Sequence, residues 1–244
     1  MLAALKAELR KLFSVRSTYV ILGICLALEI FFAFYATAYH ASPMDARDHG
    51  LLAGEVTDAV NFLTKLLAIV GILLVTHEYR YNTIVYSLTS SKKRLRVLAS
   101  KFAVISMFTV LFTAFFGMLS PLLAKLGFAA HHVALSSQTF DIWGLLWRAV
   151  MYGWGIAMLG LVFAFIIRIQ VGALAALFLI PGTVEQLLGL LLKKNQVYLP
   201  FSSLEAVLNK NDVLSYGHAA LVALGYIVLG FVVSAWLFNR RDAN

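Results

Sequence analysis

Three ionisable side chains stand inside long apolar runs, where charge is least expected. Glu29 lies about eleven residues into its run, near the middle of a bilayer at a rise of about 1.5 Å per residue. Arg148 and Glu185 lie in two later, consecutive runs. Charged groups at membrane depth are costly and rare, so each is a functional candidate. We take Glu29, Arg148 and Glu185 as candidates for an intramembrane polar or substrate path.

The depths of Arg148 and Glu185 in their runs are matched, and this predicts an ion pair between them. One alternative is that the three residues only hold helices together. Another is that their long side chains reach towards the membrane surface. The sequence alone leaves these alternatives open.

Motifs for soluble chemistry are missing from the sequence. It contains no GxxxxGK[ST] phosphate loop and no GxSxG, HExxH or CxxC pattern. We therefore predict no catalytic residue, no metal site and no nucleotide site in this chain. The only cysteine, Cys25, lies in an apolar run, so the chain can form no internal disulfide.

The composition predicts an integral membrane protein. Of the 244 residues, 61% are hydrophobic and 13% are charged, whereas soluble domains average about 25% charged residues. A helix needs about 20 apolar residues to cross a bilayer. We predict an all-α bundle of six spans in one domain, residues 1–244. The predicted spans are residues 19–39, 59–76, 102–124, 142–167, 171–192 and 217–238.

Two further segments are apolar without being long enough to cross. Residues 1–18 place leucines on one face and charged residues on the other, which predicts an amphipathic helix at the membrane interface. The charged residues are Lys6, Glu8, Arg10 and Lys11. Residues 193–215 contain VYLPFSSLEAVLN. We predict that this second segment is a short extracellular or re-entrant piece before span 6.

The segment 77–101, HEYRYNTIVYSLTSSKKRLRVLASK, joins spans 2 and 3 and holds six of the chain's twenty Lys and Arg residues. Its apolar residues are spaced to form a stripe on a helix. Such a segment can lie on anionic lipid, offer its stripe to a partner's groove, or simply fix the topology.

The distribution of basic residues predicts the orientation in the membrane. The N-terminal segment, residues 77–101, Arg168 and the C-terminus together carry thirteen Lys and Arg, against seven elsewhere. The positive-inside rule then places both termini and segment 77–101 in the cytoplasm, with the chain in the cell membrane. Because the basic residues flank apolar runs, we expect lipid and not nucleic acid to be their partner.

Several motifs resemble those of the ABC-2 type permeases, the membrane subunits of exporters driven by a separate ATPase. The N-terminal ELRKLFSVRSTYV resembles the family's surface helix entering span 1, and the terminal FNRRDAN resembles its usual ending. Segment 77–101 resembles the family's E-x-x-x-G-T-I followed by a basic turn and a Lys opening span 3. Asn82 stands where Gly is usual, and Asn tolerates a left-handed backbone better than most residues. The matching positions are Glu78, Thr83, Ile84, Arg94 and Lys101.

The resemblance implies that two such subunits, identical or not, pair with two cytoplasmic ABC ATPase subunits. ATP and Mg²⁺ would bind in the partner, so this chain would hold no cofactor and would not itself be an enzyme. Segment 77–101 would be a coupling helix docked on the ATPase, with a smaller contact at Arg168. The alternative is a secondary transporter or another polytopic membrane protein not driven by ATP. The residues implied in the ATPase contact are Glu78, Arg80, Tyr81, Thr83, Ile84, Leu88, Arg94 and Arg168.

Overall fold

The computed structural model describes residues 2–36, 50–86, 94–130, 141–209 and 213–240, and all regular structure in these ranges is helical. Spans 1 and 5 each contain a π-helical piece, Ile30–Ala36 and Ile180–Val184. A 3₁₀ helix covers Lys193–Tyr198. The α-helices are α1 Leu2–Ser14, α2 Arg16–Glu29, α3 Gly50–Arg80, α4 Arg94–Ala130, α5 Ile142–Ile167, α6 Gln170–Leu179, α7 Glu185–Leu192, α8 Pro200–Leu208 and α9 Tyr216–Arg240.

Six helical stretches of the described residues are long and apolar enough to cross a membrane. The prediction of an all-α bundle with six membrane-spanning helices is therefore confirmed. Helical structure continues past several apolar runs into polar sequence, so span 3 begins at Arg94. Spans 1 to 6 are Arg16–Tyr35, Thr57–Arg80, Arg94–Ala130, Ile142–Ile167, Gln170–Tyr198 and Tyr216–Arg240.

Spans 2 and 4 form the centre of the bundle. They pack along each other, and span 3 packs against both. Spans 1, 5 and 6 lie at the periphery, and most of their residues are not buried. This distribution is typical of helices surrounded by lipid, where outward-facing leucines carry no penalty.

Two short helices complete the fold at its edges. Helix α1 packs against α4 and buries Leu12 completely. Helix α8 packs against α5 and α9 and buries Phe201 and Leu204. The interfacial position of α1 and the re-entrant position of residues 193–215 stay predictions.

Gly153 allows three central spans to approach one another. A Cβ atom at this position would lie 2.6 Å from Thr113 Oγ1 of span 3 and 2.7 Å from Thr64 Cγ2 of span 2. Gly225, in span 6, would meet nothing within 4 Å. Small residues at such crossings are how helices pack closely in lipid.

We predict that Gly153→Ala destabilises the bundle by about 1–3 kcal/mol, because the added methyl group overpacks a closed contact. The matched control is Gly225→Ala, which gains helix propensity without a clash and should be neutral or slightly stabilising. Thermal unfolding of the purified variants in the same detergent measures both effects. Equal midpoints for the two variants would contradict the packing assigned to Gly153.

Candidate functional site

Two lysines and two glutamates form a buried cluster, called the ion cluster below. Lys101 Nζ lies 2.7 Å from Glu8 Oε2 and 2.8 Å from Glu78 Oε1. Lys11 Nζ lies 2.8 Å from Glu8 Oε1 and 2.8 Å from Glu78 Oε1. The cluster therefore joins α1, the end of span 2 and the beginning of span 3.

The sequence builds this cluster from three helices. Glu8 and Lys11 are three residues apart on α1, so they share one face of that helix. Glu78 lies in the last turn of α3, and Lys101 lies two turns into α4. Lys101 is 0% exposed. Such a buried ammonium is tolerated only with partners, and its two carboxylate contacts supply them.

Lys11 lies at the solvent-facing side of the ion cluster, and its side chain is 40% exposed. Burial acts to lower the pKa of Lys11, but hydrogen bonds and attraction from Glu78 and Glu8 outweigh it. The pKa of Lys11 is consequently raised above its ordinary value. Lys11 therefore stays charged at neutral pH and supplies a counter-charge to both carboxylates.

The chain turns sharply directly after Glu78. Asn82 has a φ of 53°, so the left-handed turn expected there is present. Tyr81 and Tyr86 are 64% and 75% exposed, while Ile84 between them is fully buried. The segment thus exposes two aromatic rings to its surroundings and is held on the bundle by the buried side chain of Ile84.

Two residues predicted to contact a partner are buried within this chain. Glu78 is held in the ion cluster, and Ile84 packs in the main hydrophobic core. The apolar stripe read from the sequence thus packs partly on the bundle itself, and the contact of Glu78 and Ile84 with a partner stays a prediction. Arg80, Tyr81, Thr83 and Arg94 are exposed as expected, and Leu88 lies outside the described residues.

Two basic residues connect segment 77–101 with other parts of the bundle. Arg168, at the turn between spans 4 and 5, has a φ of 62°, and its guanidinium lies 4.9 Å from the centre of the Tyr79 ring. Arg94 Nη1 donates a hydrogen bond to the Asn239 carbonyl at 3.3 Å. The ends of spans 2, 3, 4 and 6 are therefore tied together on the face that carries the ion cluster.

A cavity of about 700 Å³ lies beside the ion cluster, between α1, span 1 and the end of span 2. We call it the α1 groove. Its walls are mostly apolar, and they include Glu8 and Lys11 of the ion cluster as well as the exposed Tyr81 and Tyr86. The residues lining it include Leu12, Val15, Ile21, Val70, Leu73, Leu74, His77 and Val97.

The predicted Arg148–Glu185 ion pair is wrong. Arg148 donates hydrogen bonds to the Gly144 carbonyl at 2.7 Å and to Tyr216 Oη at 2.8 Å. Glu185 accepts hydrogen bonds from the Phe201 and Ser202 amides, each at 2.8 Å, and from Ser202 Oγ at 2.7 Å. Glu185 thus binds the N-terminus of α8, where amides and the helix dipole favour a carboxylate.

Glu29, the third candidate, is completely buried. Neither of its carboxylate oxygens has a hydrogen-bond partner. The neighbouring polar group is the hydroxyl of Ser120 in span 3. The structure therefore places Glu29, Arg148 and Glu185 in three separate environments.

Some contacts that shape the bundle were missed in the sequence. Tyr152 Oη donates a hydrogen bond to Asn61 Oδ1 at 2.7 Å, linking spans 4 and 2. The role of Lys11 could have been suspected, because Glu8 and Lys11 form an i,i+3 pair on a helix that must bury one face. No group of three or more His, Cys, Asp or Glu within the described ranges could hold a metal ion.

We predict that Lys101→Met destabilises the protein by about 3 kcal/mol, because it leaves two buried carboxylates short of a counter-charge. Lys125→Met is the matched control, since Lys125 is exposed on the same helix and its loss should change stability by less than about 0.5 kcal/mol. Unfolding in a fixed detergent compares the two. The ion cluster is not a structural anchor if both variants are as stable as the original chain.

One comparison with known proteins found a matching family. The model of a family described as ABC-2 family transporter protein matches residues 4–183. The match includes α1, all four residues of the ion cluster, spans 1 to 4 and the first half of span 5. A comparison with curated proteins found no match. Because the family model covers well over half of the chain, this protein belongs to the ABC-2 family of transporter proteins.

Proposed function

We propose that this transporter permease is the membrane subunit of an ATP-driven exporter, and that segment 77–101 couples it to a separate cytoplasmic ATPase. Family membership and the six-span bundle make the chain a multi-pass membrane permease. The single observation that carries the coupling proposal is the ion cluster. It ties Glu78 and Lys101, near the two ends of the coupling segment, to each other and to α1, so a force applied to the segment reaches three helices.

The proposed contact surface is the exposed part of the coupling segment and the neighbouring α1 groove. Exposed aromatic rings are favoured at protein interfaces because they bury much area with little loss of side-chain entropy. Tyr81 and Tyr86 line a mostly apolar cavity that Lys11 also lines. This combination suits a partner that inserts an apolar element and carries acidic groups at the rim.

We propose that the basic residues Arg80 and Arg94 orient the partner while the tyrosines provide affinity. Leu88 would extend the contact. Glu78 and Ile84 would act indirectly, by holding the segment in place. Arg168 would also act through this chain, because its guanidinium stacks on Tyr79 near the base of the segment.

The mechanism proposed is a rigid-body switch. Closure of two ATPase subunits on ATP would push the coupling segments, and the ion cluster would transmit the displacement to α1 and span 3. Span 1 follows α1 after a single residue, Val15. Span 1 would therefore move with the cluster, opening or closing the path between spans.

The same proposal fixes the orientation and the partners. Both termini and the ion cluster would face the cytoplasm, in line with the positive-inside rule. A second permease subunit, identical or not, would complete the path within the lipid bilayer of the cell membrane. ATP and Mg²⁺ would bind the ATPase subunits, and this chain would contribute no cofactor site.

For the intramembrane path we propose different roles for the three ionisable residues. Arg148 and Glu185 would secure α9 and α8 around the end of the path distant from the ion cluster, given their contacts with Tyr216 and Ser202. Glu29 would face the path itself when span 1 moves. The substrate class is left open by these contacts.

A secondary transporter is the second candidate, favoured by one observation. Spans 1 and 5 are both interrupted by π-helical segments, Ile30–Ala36 and Ile180–Val184. Interrupted helices are common where secondary transporters bind substrate and ions. Transport that persists in vesicles lacking ATP and any ATPase would favour this candidate.

We predict that the combined change Tyr81→Ala and Tyr86→Ala weakens binding of the cognate ATPase by at least about thirtyfold, the loss expected from about 2 kcal/mol at an aromatic hot spot. Membrane insertion and stability should be unchanged, since both rings are exposed. Co-purification and affinity measurements in detergent test this.

The matched control is Tyr198→Ala, an exposed tyrosine at the end of span 5. It should leave ATPase binding intact. Ile84→Ala should lower stability as well as binding, because Ile84 is buried. Unchanged binding after loss of both Tyr81 and Tyr86 would overturn the docking surface.

A further inference from the structure

Glu29 lies on a fully buried stripe of span 1. Cys25 and Glu29 are each 0% exposed and Ala33 is 2% exposed, so residues spaced by four turn the same face inward. Both carboxylate oxygens of Glu29 lack a hydrogen-bond partner. The other buried glutamates described above are all satisfied, in the ion cluster or at the N-terminus of α8.

Span 3 brings a hydroxyl group close to Glu29, next to a proline inside its helix. Ser120 is also fully buried, and its hydroxyl also lacks a hydrogen-bond partner. The next residue, Pro121, lies inside α4 and has no N–H, so the Gly117 carbonyl loses its helical donor. On the other side, span 1 becomes π-helical at Ile30, directly after Glu29. Such π-helical segments often mark functional sites.

No cation compensates Glu29 within the described part of the chain. The salt bridges there belong to the ion cluster. Spans 2 and 3 pack against span 1, and the charged residues in their halves distant from the cluster are Asp58, Lys65 and Lys125, none of which pairs with Glu29. On span 1 itself, the titratable residue nearest in sequence is Cys25, one turn before Glu29.

An ionised carboxylate in these surroundings would be very costly. A buried charge without a counter-charge or hydrogen bonds loses many kcal/mol of solvation, and such a group neutralises by taking up a proton. A neutral carboxylic acid needs no counter-ion. Its O–H can donate a hydrogen bond to a hydroxyl or carbonyl oxygen, and Ser120 offers such an acceptor.

We propose that Glu29 is a proton-binding site of the bundle. Its carboxyl group holds a proton while span 1 is closed against span 3, and it returns that proton to water when span 1 moves away and exposes it. The bond broken on opening is the carboxyl O–H, and water takes the proton. The reverse transfer accompanies closure.

Glu29 lies on the helix that would move with the ion cluster. Glu29 is thirteen residues after Arg16, about 20 Å along a helix that begins next to α1. Under the proposed function, on which this step rests, a shift of the ion cluster moves span 1 and hence Glu29. Because the closed form binds the proton more tightly, lower pH stabilises the closed form and higher pH favours opening.

Infrared spectroscopy of the purified permease in lipid nanodiscs tests the proton site directly. A protonated carboxylic acid has a carbonyl stretching band that a carboxylate lacks. At pH 7 the wild-type protein should show this band, and Glu29→Gln should remove it. Glu29→Gln should also leave unfolding stability unchanged, since Gln imitates the neutral acid.

Glu185→Gln is the matched control, because Glu185 is equally buried but accepts three hydrogen bonds suited to a carboxylate. This variant should keep the band. A band that survives Glu29→Gln would overturn the proposal. So would a band that disappears on replacing potassium by sodium at constant pH, which would assign Glu29 to a sodium ion.

The measurement needs no ATPase, so a failure of the proposed docking would not alter its outcome. Adding the ATPase with ATP gives the second readout. If the permease is ATP-driven, the band at pH 8 should weaken as span 1 opens. Loss of this response with the resting band intact would count against the ATP-driven function and leave the proton site standing.

Discussion

Four charges, neutral in sum, hold together the end of this bundle that carries the ion cluster. Lys101 cannot be buried unless Glu8 and Glu78 reach it, and both can do so only if α1, span 2 and span 3 meet at one point. Buried ion pairs contribute little net stability compared with apolar packing, but losing one partner is expensive. The interaction therefore fixes one arrangement of three helices and penalises others. That property suits a joint that must transmit movement.

The buried glutamates of the bundle lie in three kinds of environment. Lys11 and Lys101 pair with Glu8 and Glu78, and backbone amides at the start of α8 donate hydrogen bonds to Glu185. Glu29 has neither kind of partner. The first two arrangements use partners that belong to the fold. Among the buried glutamates of the described residues, Glu29 is therefore the one that we propose to bind a proton reversibly, and its helix becomes π-helical directly after it.

The sequence was sufficient for the six spans, because their existence depends on apolar length alone. It was insufficient to predict which side chains contact one another. Arg148 and Glu185 have matched depths, but depth does not tell which way a side chain points around its helix, and the π-helical piece before Glu185 changes that direction. Ile84 was assigned to a partner because its spacing fits an apolar stripe, yet the stripe packs on the bundle itself. The contact between Glu8 and Lys101 had no local signal in the sequence, because 93 residues separate them.

The central claim is that the exposed turn supported by the ion cluster faces the cytoplasm and is covered by an ATPase. A single cysteine introduced by Thr83→Cys, on the same exposed turn, in a chain carrying Cys25→Ala, tests both parts with a membrane-impermeant maleimide. The account predicts no labelling of intact cells, rapid labelling of inside-out vesicles, and at least about tenfold slower labelling once the ATPase is bound. Labelling of intact cells from outside, or labelling in vesicles that the ATPase does not slow, would contradict it.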